Sequence, residues 1–484
     1  MPASPPRRRR RTPSILIIGA GPGGLCMAIR LKSAGFEDFT LLEKADGVGG
    51  TWFHNRYPGC AVDLPSYFYS FSFEKKVDWS RPYAPQAELL AYMEDVARKY
   101  DLLRHCRFGQ RVERVETYEA AVVVSAVGMF NDLALPDIEG LDAFEGPCFH
   151  SARWDWNVSL EGQRVGVVGS AASAVQIVPE IVKEAAQVHL FQRTANWVLP
   201  KDDDPYTEEQ LAAFRANPAL LDAQRDEFFR VVGEGMTFEK AEQLAQMEAA
   251  GHANREQVKD PVVREKLRPH HPYGAKRPLI SNAFYPAFNR PNLELVTEPI
   301  ARITKTGIAT ADGVEREVDV LVLATGFSAT KYLSALDVTG RDGVHIDLAW
   351  RDGAHAYLGI TTAGFPNLFM LYGPNTNNGS ILTMIEAQVD YVVRHVERIA
   401  RERLAWIDVR PEAMERYNDE VQRAIGRVAV WQADCHGYYR TPSGRVVTQW
   451  PYSMTEFRAR TEKPDDEVYE TASFSARSEL DRTA

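Results

Sequence analysis

No uninterrupted apolar run in these 484 residues approaches the roughly 20 that a membrane helix needs, which argues against a bilayer span or a stop-transfer segment. Paired cysteines are missing as well. Cys26, Cys60, Cys106, Cys148 and Cys435 are scattered, with neither a C-x-x-C pair nor a zinc-ligand spacing, so no metal site is expected. Their isolation fits a reducing, cytoplasmic setting. An excess of positive charge is also lacking: the formal net charge is -10, which disfavours a nucleic-acid partner and points to small molecules. At 45% hydrophobic, the chain is long enough for two or three domains. The one concentrated basic run, Arg7 to Arg11, precedes an apolar stretch of only Ile15 to Ile18. That is too short for a signal segment, so residues 1–11 are predicted to be a disordered basic tail.

The first informative stretch is Ile15-Leu16-Ile17-Ile18, a predicted strand running directly into Gly19-Ala20-Gly21-Pro22-Gly23-Gly24 and a helix that carries Leu25, Ala28, Ile29 and Leu31. This is a G-x-G-x-x-G turn in its required context, with a strand before it and a helix after. Gly19 permits the tight turn, Gly21 lets backbone approach a pyrophosphate, Gly24 lets helix pack on strand, and the helix N-terminus offers free N–H groups to the anion. The next predicted strand, Phe39 to Leu42, ends at Glu43, where a carboxylate accepts hydrogen bonds from ribose hydroxyls.

A second unit repeats the plan. Strand Arg164 to Val168 leads into Gly169-Ser170-Ala171-Ala172-Ser173-Ala174, a helix from Val175, and a strand Val188 to Gln192 ending at Arg193 and Thr194. Gly19 to Glu43 and Gly169 to Arg193 both span 24 positions, so equivalent places carry an acid in one unit and a base in the other. A guanidinium offers phosphate oxygens a planar fork of donors, which suits the extra phosphate of NADPH, whereas the acid suits FAD. FAD is therefore assigned to the first unit and NADPH to the second. Ser170 and Ser173 add hydroxyl donors. Ala171 stands where the middle glycine would be, and its methyl group threatens to hold the pyrophosphate back.

Between the units, Phe144-x-Gly146-x-x-x-His150-x-x-x-Trp154-Asp155 resembles the fingerprint of the Baeyer-Villiger monooxygenases, F-x-G-x-x-x-H-x-x-x-W followed by P or D. The resemblance extends from about Ser14 to Thr461 and includes GGTWFHNRYPG, FQRTANW, GAKRP, LVLATGF and GFPNLFMLYGPNTNNGS, the last segments being most similar to the 4-hydroxyacetophenone monooxygenase branch. It implies that the fingerprint couples the movement of the FAD and NADPH domains. Gly50, Thr51 and Trp52 are implied to lie along the flavin, Asp63 to reach the active site, Arg277 to match the active-site arginine, and Lys276 to lie near the NADPH phosphate. The loop Gly373 to Ser380, with Asn375, is implied to border the flavin. From the residues themselves, Ser380 or Thr383 is expected to cap the periodic helix that follows.

The implied reaction is a Baeyer-Villiger oxidation. NADPH reduces the flavin, O2 is captured as a C4a-peroxide, and one oxygen atom is inserted beside a ketone carbonyl to give an ester or lactone. The cofactor supplies the bond chemistry, and the protein supplies orientation and fixed charge. Arg277, which does not deprotonate, is the candidate for stabilising the anionic oxygens, and Asp63 is the candidate for holding it, through two parallel hydrogen bonds.

The predicted fold class is α/β, with two Rossmann-like dinucleotide-binding domains and a helical insertion. The FAD domain is expected over 12–140 and 331–484, the NADPH domain over 145–204 and 273–330, and helices over 205–272, where Glu, Ala, Gln and Arg abound. Residues from about Lys463 are expected to be loosely held. Between Val115 and Val122 the family's small β-hairpin is missing. Two alternatives remain at this level: a flavin-dependent hydroxylase of nitrogen or sulfur, and a non-catalytic nucleotide-binding protein. A disulfide reductase is disfavoured because redox cysteines are lacking.

Overall fold

In the computed structural model, residues 13–113, 120–233, 237–333, 336–435 and 437–474 are described. The basic run Arg7 to Arg11 and the shortened link at Glu116 to Glu119 lie outside them. Two five-stranded sheets organise the rest. The first runs Leu368–Met370, Val122–Ser125, Ile15–Ile18, Phe39–Leu42, Cys106–Arg107, with every neighbouring pair parallel. The second runs Leu293–Val296, Gln187–Phe191, Arg164–Val168, Val320–Leu323, Cys148–His150, again all parallel. Parallel strands are covered on both faces and therefore read as unbroken apolar runs, as in Ile15–Ile18, which is buried throughout.

Each central strand turns sharply into a helix, and two glycines make that possible. Gly19 has φ +106° and Gly169 φ +104°, values open to glycine at little cost. A Cβ on Gly24 would fall 1.9 Å from the Gly19 carbonyl oxygen, so the helix Pro22–Ser33 rests directly on the turn. Ala171 has φ -92° and ψ -156°, close to the -76° and -173° of Gly21. Both are extended, so alanine carries no backbone strain there, and only the volume of its methyl group distinguishes it from glycine.

The helix Ile381–Glu402 buries Ile385, Val389, Val392, Val396 and Ile399, the face its period indicates, and packs along Pro22–Ser33. Its start is not capped as expected. Ser380 occupies the N-cap position without a side-chain cap bond, and the buried Ser380 and Thr383 hydroxyls have no partner among the described residues. The preceding loop is held instead by asparagines. Asn375 Nδ2 donates to the Val446 and Gln449 carbonyls at 3.1 and 3.0 Å, and Asn378 Nδ2 to that of Tyr452 at 2.6 Å.

The stretch rich in Glu, Ala and Gln forms the helices Glu208–Ala216, Ala219–Phe228, Ala241–Arg255 and Pro261–Lys266. The end of the described chain departs from expectation. Tyr469–Ser473 pairs antiparallel with Leu404–Val409, with Tyr469 buried, so backbone bonding fixes a segment whose polar composition suggested looseness. No helix among the described residues is long and apolar enough to cross a membrane.

Two buried histidines set an acid limit on stability. Burial lowers His395 to about 3 and His271 to about 4, against about 6.5 for a free histidine. The unfolded chain then binds more protons as pH falls below 6.5, so stability present above that value is lost as pH drops toward the folded values. Between pH 7 and 5 each histidine is expected to cost about 2 kcal/mol. Urea midpoints at the two pH values check this, and His395→Phe should flatten the profile.

Candidate active site

A cavity of about 1140 Å³, counted to its open mouth, is lined by Gly19, Gly21 and Glu43 and, further on, by Gly50, Thr51, Tyr69 and Tyr372. Where Gly21 and Gly50 meet, its wall is bare backbone. A Cβ on Gly50 (φ +55°) would come within 2.8 Å of the Gly21 Cα, so the two glycine loops meet at a distance no side chain permits. Such a cradle at a helix N-terminus fits a pyrophosphate. Glu43 is buried and fixed, its Oε2 accepting from Ala20 N–H at 2.8 Å and its Oε1 from Ala45 N–H at 2.9 Å. Each oxygen keeps lone-pair capacity for a ribose hydroxyl. Trp52 and Asn375 are not among the residues lining this cavity. Trp52 is packed in the core edge-on to Tyr69 at 5.7 Å, and Asn375, 2% exposed, is committed to the carbonyls named above.

At the second turn Ser170 Oγ donates to the Thr194 carbonyl at 3.4 Å, and Asn196 Nδ2 donates to the Ser170 carbonyl at 3.1 Å, tying the turn to the segment after the strand Gln187–Phe191. Arg193 is exposed there. Lys276 arrives from a loop more than eighty residues later and comes within electrostatic range of Arg193, and burial together with that neighbouring cation lowers the lysine's pKa. Among the described residues neither cation forms an ion pair with a carboxylate. Two neighbouring cations with no carboxylate partner among the described residues fit a phosphate group.

The structure joins Arg277 and Asp63, 214 positions apart. Arg277 Nε donates to Asp63 Oδ2 at 3.1 Å and Nη2 donates to the same oxygen. The expected pair of parallel bonds to two oxygens is therefore replaced by a side-on contact to one. The carboxylate's charge raises the Arg277 pKa well above its already high value, so the guanidinium is a permanent cation. Arg277 keeps 37% and Asp63 31% of their side-chain exposure, so neither side chain is sealed in the core. Around them stand Tyr69, Tyr372 and Tyr438, all of which feel both charges. Composition and spacing offered no sign of these tyrosines, since they come from three separate loops.

The fingerprint residues are packed at the rim of the second sheet. Gly146 is required where it stands, because a Cβ would lie 2.4 Å from the Asp319 carbonyl oxygen and 2.9 Å from the Phe144 ring. His150 ends the edge strand Cys148–His150. It is buried, accepts from Ala152 N–H at Nδ1 (3.1 Å), and lies edge-on to Phe327 at 5.9 Å. Burial lowers its pKa and keeps it neutral. Trp154 packs against Phe149 at 5.1 Å, while Asp155 Oδ1 caps the following turn through Asn157 N–H at 3.0 Å. No fingerprint side chain lines the cavity.

Two parallel sheets with glycine turns, one ending in an acid and the other in a base, together with a cation held beside the first cavity, define an oxidoreductase with two dinucleotide folds. A family model described as pyridine nucleotide-disulphide oxidoreductase matches residues 16–243. A Baeyer-Villiger monooxygenase of Pseudomonas aeruginosa is 40% identical over 97% of this chain and 93% of its own. The crystal structure of OTEMO in complex with FAD and NADP superposes with a TM-score of 0.84 at 30% identity, over 95% of this chain and 99% of that one. Cyclohexanone monooxygenase from Rhodococcus sp. Phi1 bound to NADP+ gives 0.85 at 29% identity, over 96% and 99%. The chain belongs to the Baeyer-Villiger monooxygenases. These likenesses agree on the family and do not single out its 4-hydroxyacetophenone branch.

Proposed function

We propose that this chain is an FAD-containing, NADPH-consuming monooxygenase that inserts one oxygen atom of O2 beside the carbonyl of a ketone, giving an ester or lactone. The observation that carries the reading is the permanent cation Arg277, held by Asp63 and still partly exposed, among tyrosines two of which line the cavity of the first glycine turn. When bound, FAD supplies oxygen activation and NADPH the electrons. Gly19, Gly21, Glu43, Gly50 and Thr51 would hold FAD, with Gly24 seating the helix against the turn. Gly169, Ser170 and Ser173 would hold the NADPH phosphates, and Arg193, Thr194 and Lys276 its extra phosphate.

Negative charge gathers on the reacting oxygens during carbonyl attack, and Arg277 is placed to stabilise it with no proton to lose. Asp63 keeps the guanidinium in position. The FAD domain comprises 12–140 and 331–484, the NADPH domain 145–204 and 273–330, and the helices of 205–272 form part of the substrate wall. The five free thiols are consistent with a cytoplasmic enzyme.

Purified protein incubated with NADPH, O2 and separate panels of ketones, amines and sulfides, with products identified by mass, tests this function. Ester or lactone formation is expected. Exclusive N-oxide or sulfoxide formation defeats it.

A further inference from the structure

The loop that carries Asp63 is not secured by its own sheet alone. It lies against the helix Ala172–Ile181, the one that follows the second glycine turn. Three contacts make the seam. Tyr57 OH donates to Gln176 Oε1 at 2.9 Å. Gln176 Nε2 donates onward to the Ala61 carbonyl at 3.0 Å. Gly59, at φ +76°, lies so near the helix that a Cβ would come within 2.6 Å of the Gln176 carbonyl oxygen. The Tyr57 ring packs against the hydrophobic cores of both sheets. On the loop's other side, Val62 N–H donates to the Ala84 carbonyl at 3.1 Å and Gln86 N–H to that of Cys60 at 2.8 Å. Asp63 follows directly on this clamped stretch.

A side-chain amide spends its donor and its acceptor on two points of one loop only if helix and loop keep a fixed separation, because either bond lengthens when the seam opens. We propose that Gln176 is a positioning residue for the Asp63–Arg277 pair: it fixes the Asp63 loop to the helix of the second nucleotide fold, so that the placement of the guanidinium depends on how that helix is seated. The role ascribed to the pair rests on the monooxygenase reading above; the seam itself does not. Tyr57 is the second half of the device.

Gln176→Met keeps the length and volume of the side chain while removing both hydrogen bonds, and Tyr57→Phe removes one. Amide hydrogen exchange is followed in the FAD-loaded protein at Val62 and Gln86, with Ile17 and Val167 in the two central strands as references. In Gln176→Met the Val62 and Gln86 amides are expected to exchange about tenfold faster, and in Tyr57→Phe a few-fold faster, with the references unchanged. In parallel, ester formed per NADPH consumed is expected to fall several-fold in Gln176→Met, a split that general loss of folded protein does not produce. Unaltered exchange at Val62 and Gln86 would overturn the proposal. So would equal acceleration at Ile17 and Val167, which marks a general stability effect. Exchange reports on the loop whether or not any ester is made, so a protein inactive toward every ketone defeats the functional reading and leaves this measurement decisive.

Discussion

Arg277→Ala protein is expected to retain its flavin and oxidise NADPH while ester formation falls by about 10²- to 10³-fold, the usual loss when a fixed donor to a developing oxyanion is removed. The guanidinium is separate from the glycine cradle that fits the flavin's pyrophosphate, so truncation leaves that cradle intact. What disappears is a cation whose charge Asp63 reinforces and whose side chain stays partly exposed. Arg277→Lys tests geometry against charge. An ammonium is a point charge and cannot present Nε and Nη2 side-on to Asp63 Oδ2. Partial recovery, well below the native rate, is therefore expected. Product yield per NADPH, measured alongside the rate of flavin reduction, separates the two steps. A normal ester yield in Arg277→Ala would remove this residue from the chemistry.

How much of this was readable beforehand depends on the range of the interaction. The glycine turns, the acid and base 24 positions after each, and the apolar face of Ile381–Glu402 are local patterns, and each lies where its pattern indicates. The meeting of Arg277 with Asp63 was indicated by family resemblance, since no periodicity connects positions 214 apart. Finer geometry was out of reach. The side-on contact to a single carboxylate oxygen depends on how two loops approach each other. The burial of Asn375 depends on carbonyls more than seventy residues downstream. Tyr469–Ser473 is a strand because Leu404–Val409 offers it a free edge, which its own polar residues do not reveal. The loop before Ser380 is likewise fixed by downstream backbone, through Asn378 and the Tyr452 carbonyl, while the expected hydroxyl cap does not form.

Arg193→Ala should weaken NADPH binding by about 10- to 100-fold, as expected for one charge-assisted hydrogen bond to phosphate, while changing NADH affinity by no more than a few-fold. Arg193 and Lys276 approach each other with no carboxylate between them among the described residues, so in the absence of phosphate they repel, which contributes to the lowering of the lysine's pKa. A dianionic phosphate between them reverses that repulsion, and NADH brings no such group. Because Lys276 remains in Arg193→Ala, the single variant keeps part of the preference. Removing both cations should bring the two nucleotides close to equal affinity. Less than additive loss in the double variant is the natural outcome for neighbours sharing one ligand. Dissociation constants for both nucleotides, measured with the FAD-loaded protein at fixed ionic strength, decide the matter: equal losses of NADPH and NADH in Arg193→Ala would mean that the extra phosphate is bound elsewhere.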